Sequence, residues 1–156
     1  MGRIITYENP WLFNGQPFNS EDIGNHVGFV YVIRKDDADG KSYIGRKYFW
    51  NIRKKPGAKK GARRIKKESD WKDYYGSSER LKEDVDCFGQ RCFRREIISL
   101  HKTRGDVNYT ETKLQFALNV LEDDKYYNDN ILIKYKRRPE HIMEARVIND
   151  DWRRYF

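Results

Sequence analysis

The chain has 156 residues, 36% charged and 38% hydrophobic, with a formal net charge of +8, which suits one domain with a modest core and a strongly ionic surface. No apolar run approaches the roughly 20 residues of a membrane helix, and the N-terminus lacks the basic, apolar and small-residue regions of a secretory signal. A soluble, cytoplasmic protein that does not enter the membrane is the expectation.

Residues 1–27 hold Ile4, Ile5 and Tyr7, then Pro10, the turn pair Asn14-Gly15, Pro17 and a helical start at Ser20-Glu21-Asp22; they read as an N-terminal extension packed on the domain. From about residue 28 to 49 two β-rich runs flank a turn signal at Asp39-Gly40. The first is Gly28-Phe29-Val30-Tyr31-Val32-Ile33 and the second Lys41-Ser42-Tyr43-Ile44-Gly45-Arg46-Lys47. This predicts an antiparallel hairpin that brings Tyr31 and Tyr43 onto one small sheet.

A basic stretch follows. Arg53, Lys54, Lys55, Lys59, Lys60, Arg63, Arg64, Lys66 and Lys67 carry nine positive charges with no acid among them, leaving the rest of the chain at −1. Pro56, Gly57 and Gly61 interrupt the run, so residues 53–70 read as a flexible loop. Such a concentrated charge points to a polyanion, nucleic acid in particular, rather than to general solubility.

Ser77 or Ser78 can cap a helix carrying Leu81, Val85 and Phe88, with Gly89 as its stop. Cys87 and Cys92 are expected as reduced thiols, because their spacing suits neither a zinc knuckle nor a disulfide framework. Residues 92–100 read as a third strand. The strongest helix opens at Asp106 and runs to about Leu121, and a short strand spans 130–135. A basic, aromatic tail occupies 136–156, including Arg137, Arg138, Arg146, Trp152, Arg153 and Arg154. The order β-β-α-β-α-β predicts an α/β (α+β) fold: a small, mostly antiparallel sheet flanked by helices.

Within the strong helix the apolar positions Val107, Leu114, Leu118 and Leu121 leave one gap, filled by Glu111. A carboxylate in a core-facing line is costly unless it is paired, protonated or coordinated. Beside a polyanion-binding segment it suggests a hard-cation site, since Mg²⁺ needs only one or two carboxylates plus waters and phosphate oxygens.

Taken together these residues resemble the GIY-YIG nucleases, of compact phage or mobile-element type, over roughly residues 27–135. Gly28-Phe29-Val30-Tyr31 looks like a first motif stretched by one residue, and Tyr43-Ile44-Gly45 is the second motif unaltered. The resemblance implies catalytic roles for Tyr31, Tyr43, Arg53, Tyr75, Glu111 and Asn128, with Glu111 as the ligand of Mg²⁺ or Mn²⁺. Tyr74 would replace Tyr75 if the register shifts by one. The family's arginine rides a helix, which Pro56, Gly57 and Gly61 disfavour after Arg53, so Arg46 or Lys47 is expected as its functional substitute. On a regular strand Lys47 shares a face with Tyr43 and is the better of the two.

The implied activity is a divalent-metal-dependent DNA endonuclease, homing-like or of phage type, acting inside a bacterial cell if phage-encoded. A tyrosine serves as base there only if cations lower its pKa from about 10. The DNA contacts would be Arg46, Lys54, Lys55, Lys59, Lys60, Arg63, Arg64, Lys66 and Lys67. A homodimer would place two sites on a duplex, although nothing in the residues supports one. The alternative is a non-catalytic, basic nucleic-acid-binding module.

Overall fold

Asn14 and Gly15 both adopt positive φ, 50° and 78°, which lets the chain reverse within two residues. In the computed structural model, which describes residues 8–54 and 56–138, this turn joins β1 (Leu12–Phe13) to β2 (Gln16–Pro17). Trp11, Phe18 and Ile23 from this segment are buried, so residues 11–23 help build the core. The helical start at Ser20 is a single 3-10 turn, Ser20–Asp22.

The expected hairpin follows as β3 (Gly28–Lys35) and β4 (Ser42–Tyr48), with Tyr31 opposite Gly45. Asp37 Oδ1 accepts from the amides of Asp39 and Gly40 and so fixes the turn. Between β4 and the first helix lie β5 (Trp50–Lys54) and β6 (Arg64–Glu68), which pair antiparallel. The basic stretch, expected from sequence to be a flexible loop, is therefore a two-stranded ribbon. Its Pro and Gly residues fall in the connection rather than in the strands.

Helix α1 (Glu79–Phe88) starts on Ser78, whose hydroxyl accepts from the Leu81 amide, and stops at Gly89 with φ of 88°. Strand β7 (Phe93–His101) crosses the middle of the sheet. Helix α2 (Arg104–Ala117) is capped by Thr103 and ends about a turn earlier than the apolar periodicity suggests. Leu118 is consequently off the helix and exposed, while Gln115 takes a buried position. The last predicted strand is a small hairpin, β8 (Asn130–Ile131) and β9 (Tyr135–Lys136).

The main sheet has the order β2-β1-β7-β3-β4, antiparallel except where β1 meets β7. One face carries Phe29, Tyr31, Ile33 and Tyr43 against Trp11, Trp71 and the α1 residues Leu81 and Val85. The other carries Val30 and Ile44 against Val107 of α2, with Val120, Leu121 and Ile131. Strand β4 is the sheet's edge, and that placement governs the site. Among the described residues no helix is long and apolar enough to cross a membrane.

Candidate active site

An edge strand leaves every second backbone amide and carbonyl without a ladder partner. Along β4 the outward amides of Ser42, Ile44 and Arg46 are each met by a different device. At Ser42 the backbone of Lys125 and Tyr127 pairs as a short parallel bridge. At Ile44 the buried Asn128 side chain accepts from the amide at 3.1 Å and donates to the carbonyl at 2.8 Å. Gln115 Nε2 donates to the same carbonyl at 3.0 Å. At Arg46 the partner is Glu111, whose carboxylate faces both the backbone amide and the guanidinium, with Arg46 Nη1 at 2.8 Å from Oε1.

Beyond Ile44 the edge opens into a cavity of about 590 Å³. Tyr43, Lys47, Tyr74 and Ser77 line it from one face of the sheet. Arg46, Tyr48, Glu111 and Gln115 line it from the other, and Trp50, Asn51 and Arg104 form part of its wall. Tyrosine and glutamate thus lie on opposite faces of β4 and meet around its edge. This is why Arg46, although it points away from Tyr43 along the strand, still reaches the cavity.

Glu111 is 8% exposed. Burial raises its pKa, and the Arg46 charge and hydrogen bonds pull it back only in part. Tyr43 donates to or accepts from Ser77 Oγ at 2.9 Å; burial raises its pKa despite that bond. Tyr31 is fully buried, and burial holds its phenol well above the ordinary value. Tyr74, which hydrogen-bonds Tyr31 and Ser77, is raised by burial as well. All three phenols are shifted away from ionisation, opposite to the direction a resident base requires.

The structure separates the remaining residues singled out from sequence. Lys47 lies in the cavity, bonded to Asp70 at 2.6 Å and stacked 4.0 Å above the Tyr74 ring. Arg53 is on the exposed β5–β6 ribbon, opposite Ile65, and does not line the cavity; the guanidinium beside Glu111 belongs to Arg46. Tyr75 turns the other way. Its hydroxyl accepts from Asn9 Nδ2 at 2.9 Å, and its ring packs on the buried Arg95, so Tyr74 is the tyrosine at the cavity. Asn128 holds the β4 edge and does not line the cavity. Lys54, Lys59, Lys60, Arg63, Arg64, Lys66 and Lys67 stand exposed on the ribbon or its connection. Lys55 and the tail beyond Arg138 lie outside the described residues.

Three cavity residues are not evident as site residues in the sequence. Gln115 stands four residues after Glu111, on the same helix face, and its Oε1 is buried with no hydrogen-bond partner among the described residues. Arg104, in the first turn of α2, packs 4.2 Å above the Tyr48 ring. Ser77 reads in the sequence only as a helix cap. At the mouth Leu132 and Ile133 hold φ of 52° and 63°, a strained region for bulky residues.

The donor set suits a hard cation. Among the described residues no three His, Cys, Asp or Glu side chains cluster, so the cavity offers no all-protein cage. It offers one carboxylate, Glu111, with room for waters and phosphate oxygens, which is the pattern Mg²⁺ favours.

The glycines of β3 and β4 are set by the same packing. A Cβ on Gly45 would lie 2.5 Å from the Tyr31 hydroxyl and 2.7 Å from Tyr43 Cε1. On Gly28 it would lie 2.8 Å from the Lys47 carbonyl. The family model described as "Putative endonuclease segE, GIY-YIG domain" matches residues 11–131. The chain belongs to the GIY-YIG family. Comparison with curated proteins and with solved structures returned no match. In this GIY-YIG domain the Tyr-Ile-Gly triplet is legible physically: Tyr43 faces the cavity, Ile44 anchors the α2 side, and Gly45 leaves space for two rings.

Proposed function

We propose that this GIY-YIG domain is a divalent-metal-dependent endonuclease that hydrolyses phosphodiester bonds in DNA. The observation that carries this reading is Glu111: a buried carboxylate, paired with a guanidinium, in the wall of an open cavity that also holds Tyr43 and Lys47. A stability role alone would favour an apolar side chain in that position.

Glu111 would hold Mg²⁺ or Mn²⁺, whose chemistry is to polarise a phosphate oxygen and stabilise the leaving oxygen. Arg46 binds a non-bridging oxygen of the scissile phosphate and neutralises charge as it accumulates. Lys47 and Arg104 add positive potential at the entrance. Tyr43, a neutral phenol held by Ser77, orients the attacking water through its hydroxyl. Tyr31, packed against Gly45 and the Tyr43 ring and hydrogen-bonded to Tyr74, acts as a positioning residue. Asn128 and Gln115 hold Ile44, and through it the strand that carries Tyr43 and Arg46. The setting we infer is a compact nuclease of phage or mobile-element type, following the resemblance of the two tyrosine motifs.

The test is incubation of supercoiled plasmid with the purified chain, with Mg²⁺ or with EDTA. Nicked or linear product is expected only with Mg²⁺, and none from Glu111→Ala. Retained DNA affinity with no product from the parent chain would replace the nuclease by a non-catalytic binding module. Unchanged cleavage by Glu111→Ala would remove the assigned mechanism.

A further inference from the structure

The β5–β6 ribbon has a composition its fold does not explain. A solitary two-stranded ribbon is marginally stable in water unless one face packs on something. Here residues 51–54 and 64–67 are exposed on both faces. Cross-strand partners share a face, so the register puts Ile52, Lys54, Arg64 and Lys66 on one side of the ribbon. Arg53, Ile65 and Lys67 occupy the other. Each face therefore carries cations and one exposed isoleucine. The acid of the paired strands, Glu68, is at the root, occupied by Ser20 and Trp71.

A ribbon lying flat on a polyanion needs cations on one face only. Cations on both faces match a partner with two anionic walls. The major groove of B-DNA is such a partner: about 12 Å wide, it admits a two-stranded ribbon between two phosphate strands, with thymine methyls available to apolar side chains. The minor groove, about 6 Å wide, admits one only if the duplex is deformed to widen it, at an energetic cost. Location agrees with charge. Trp50 and Asn51, at the root of the ribbon, are also in the cavity wall, so a duplex seated on the ribbon passes the Arg46–Glu111 pair.

We propose that the β5–β6 ribbon enters the major groove of duplex DNA next to the cleavage cavity, its two faces meeting opposite phosphate walls. This rests on the reading of the chain as a DNA enzyme. It assigns Arg53 to the groove rather than to the reacting phosphate.

The experiment measures binding of the full chain to a mixed-sequence duplex in EDTA, with the duplex preloaded either with methyl green, in the major groove, or with netropsin, in the minor groove. Methyl green should weaken binding at least tenfold and netropsin should leave it within twofold. Equal competition by both, competition by netropsin alone, or competition by neither overturns the proposal. Two paired variants, Arg53→Gln with Lys67→Gln and Lys54→Gln with Lys66→Gln, probe the faces separately. Each pair should flatten the slope of log affinity against log salt by about 0.9 for every phosphate that is no longer neutralised. An effect confined to one pair means that the ribbon lies on the surface, and the proposal fails. Plasmid cleavage judges the nuclease reading separately. A chain that binds through the major groove without cutting removes the enzyme and leaves the ribbon assignment; one that cuts while both pairs keep the parental slope does the reverse.

Discussion

At Glu111 burial and charge pairing act in opposite directions, and burial prevails. A carboxyl whose folded pKa lies above its unfolded value contributes stability that is complete below the unfolded pKa. That contribution is lost as pH rises through the folded pKa. At neutral pH the ionised Glu111 thus costs the fold something that a neutral isostere would not. Glu111→Gln is expected to melt at or above the parent temperature at pH 7.5, with the difference shrinking as pH falls toward 4, while cleavage is lost. Thermal melts at the two pH values check this; a drop of several degrees for the variant at pH 7.5 would mean that the Arg46 pair outweighs desolvation. Gly45 makes a second demand at the same scale. Gly45→Ala drives a methyl into the hydroxyl of the fully buried Tyr31 and into the ring of Tyr43, which can yield only toward the cavity. Overpacking of this kind costs about 1–3 kcal/mol, and because it displaces Tyr43 it should lower kcat more than KM.

Strand β4 explains which parts of the site can be read in the sequence. Alternation within β4 and the Asp39-Gly40 turn signal give the hairpin and the placing of Tyr31 and Tyr43 on one sheet, because strand periodicity is a local property. The register, with Arg34 opposite Ser42 across a longer connection, is not legible there. Glu111 is legible as a break in a helical apolar line. The edge position of β4 is not, since it depends on which strands pair at long range, and from it follow the roles of Arg46, Gln115 and Asn128. Tyr74 and Tyr75 cannot be separated in the sequence for a similar reason: the choice rests on Arg95 and Asn9 capturing one ring from the far side. The ribbon is hidden because its cations obscure a strand pattern that becomes stable only in pairing. Asn128 yields the prediction for this strand. Asn128→Ala orphans the buried Ile44 amide, while Gln115 still serves the carbonyl. One unsatisfied buried group costs about 1–3 kcal/mol. Urea unfolding should register that loss, and the melting curve should fall together with activity, in contrast to Glu111→Gln.

Across the whole molecule, charge and core are kept apart. The aromatic and aliphatic clusters on the two faces of the sheet hold the fold, whereas the excess positive charge sits on a ribbon exposed on both faces. Stability and nucleic-acid affinity should therefore be separable by one excision. Replacing residues 52–66 by Asn-Gly joins Asn51 to its cross-strand partner Lys67 through a two-residue turn. It removes eight positive charges and no acid, which brings the chain to formal neutrality. Shortening the connection reduces loop-closure entropy, and the residues removed are mostly exposed. The unfolding free energy is expected to stay within about 1 kcal/mol of the parent, the scale of surface changes. DNA affinity near physiological salt should fall sharply and its salt slope should flatten, while the cavity residues remain in place to cut slowly at low ionic strength. Urea unfolding and a salt titration of binding, run on the same preparation, decide between this and the alternative. A large loss of stability would show that the ribbon braces the edge of β4, and an unchanged salt slope would move the DNA contact elsewhere on the chain.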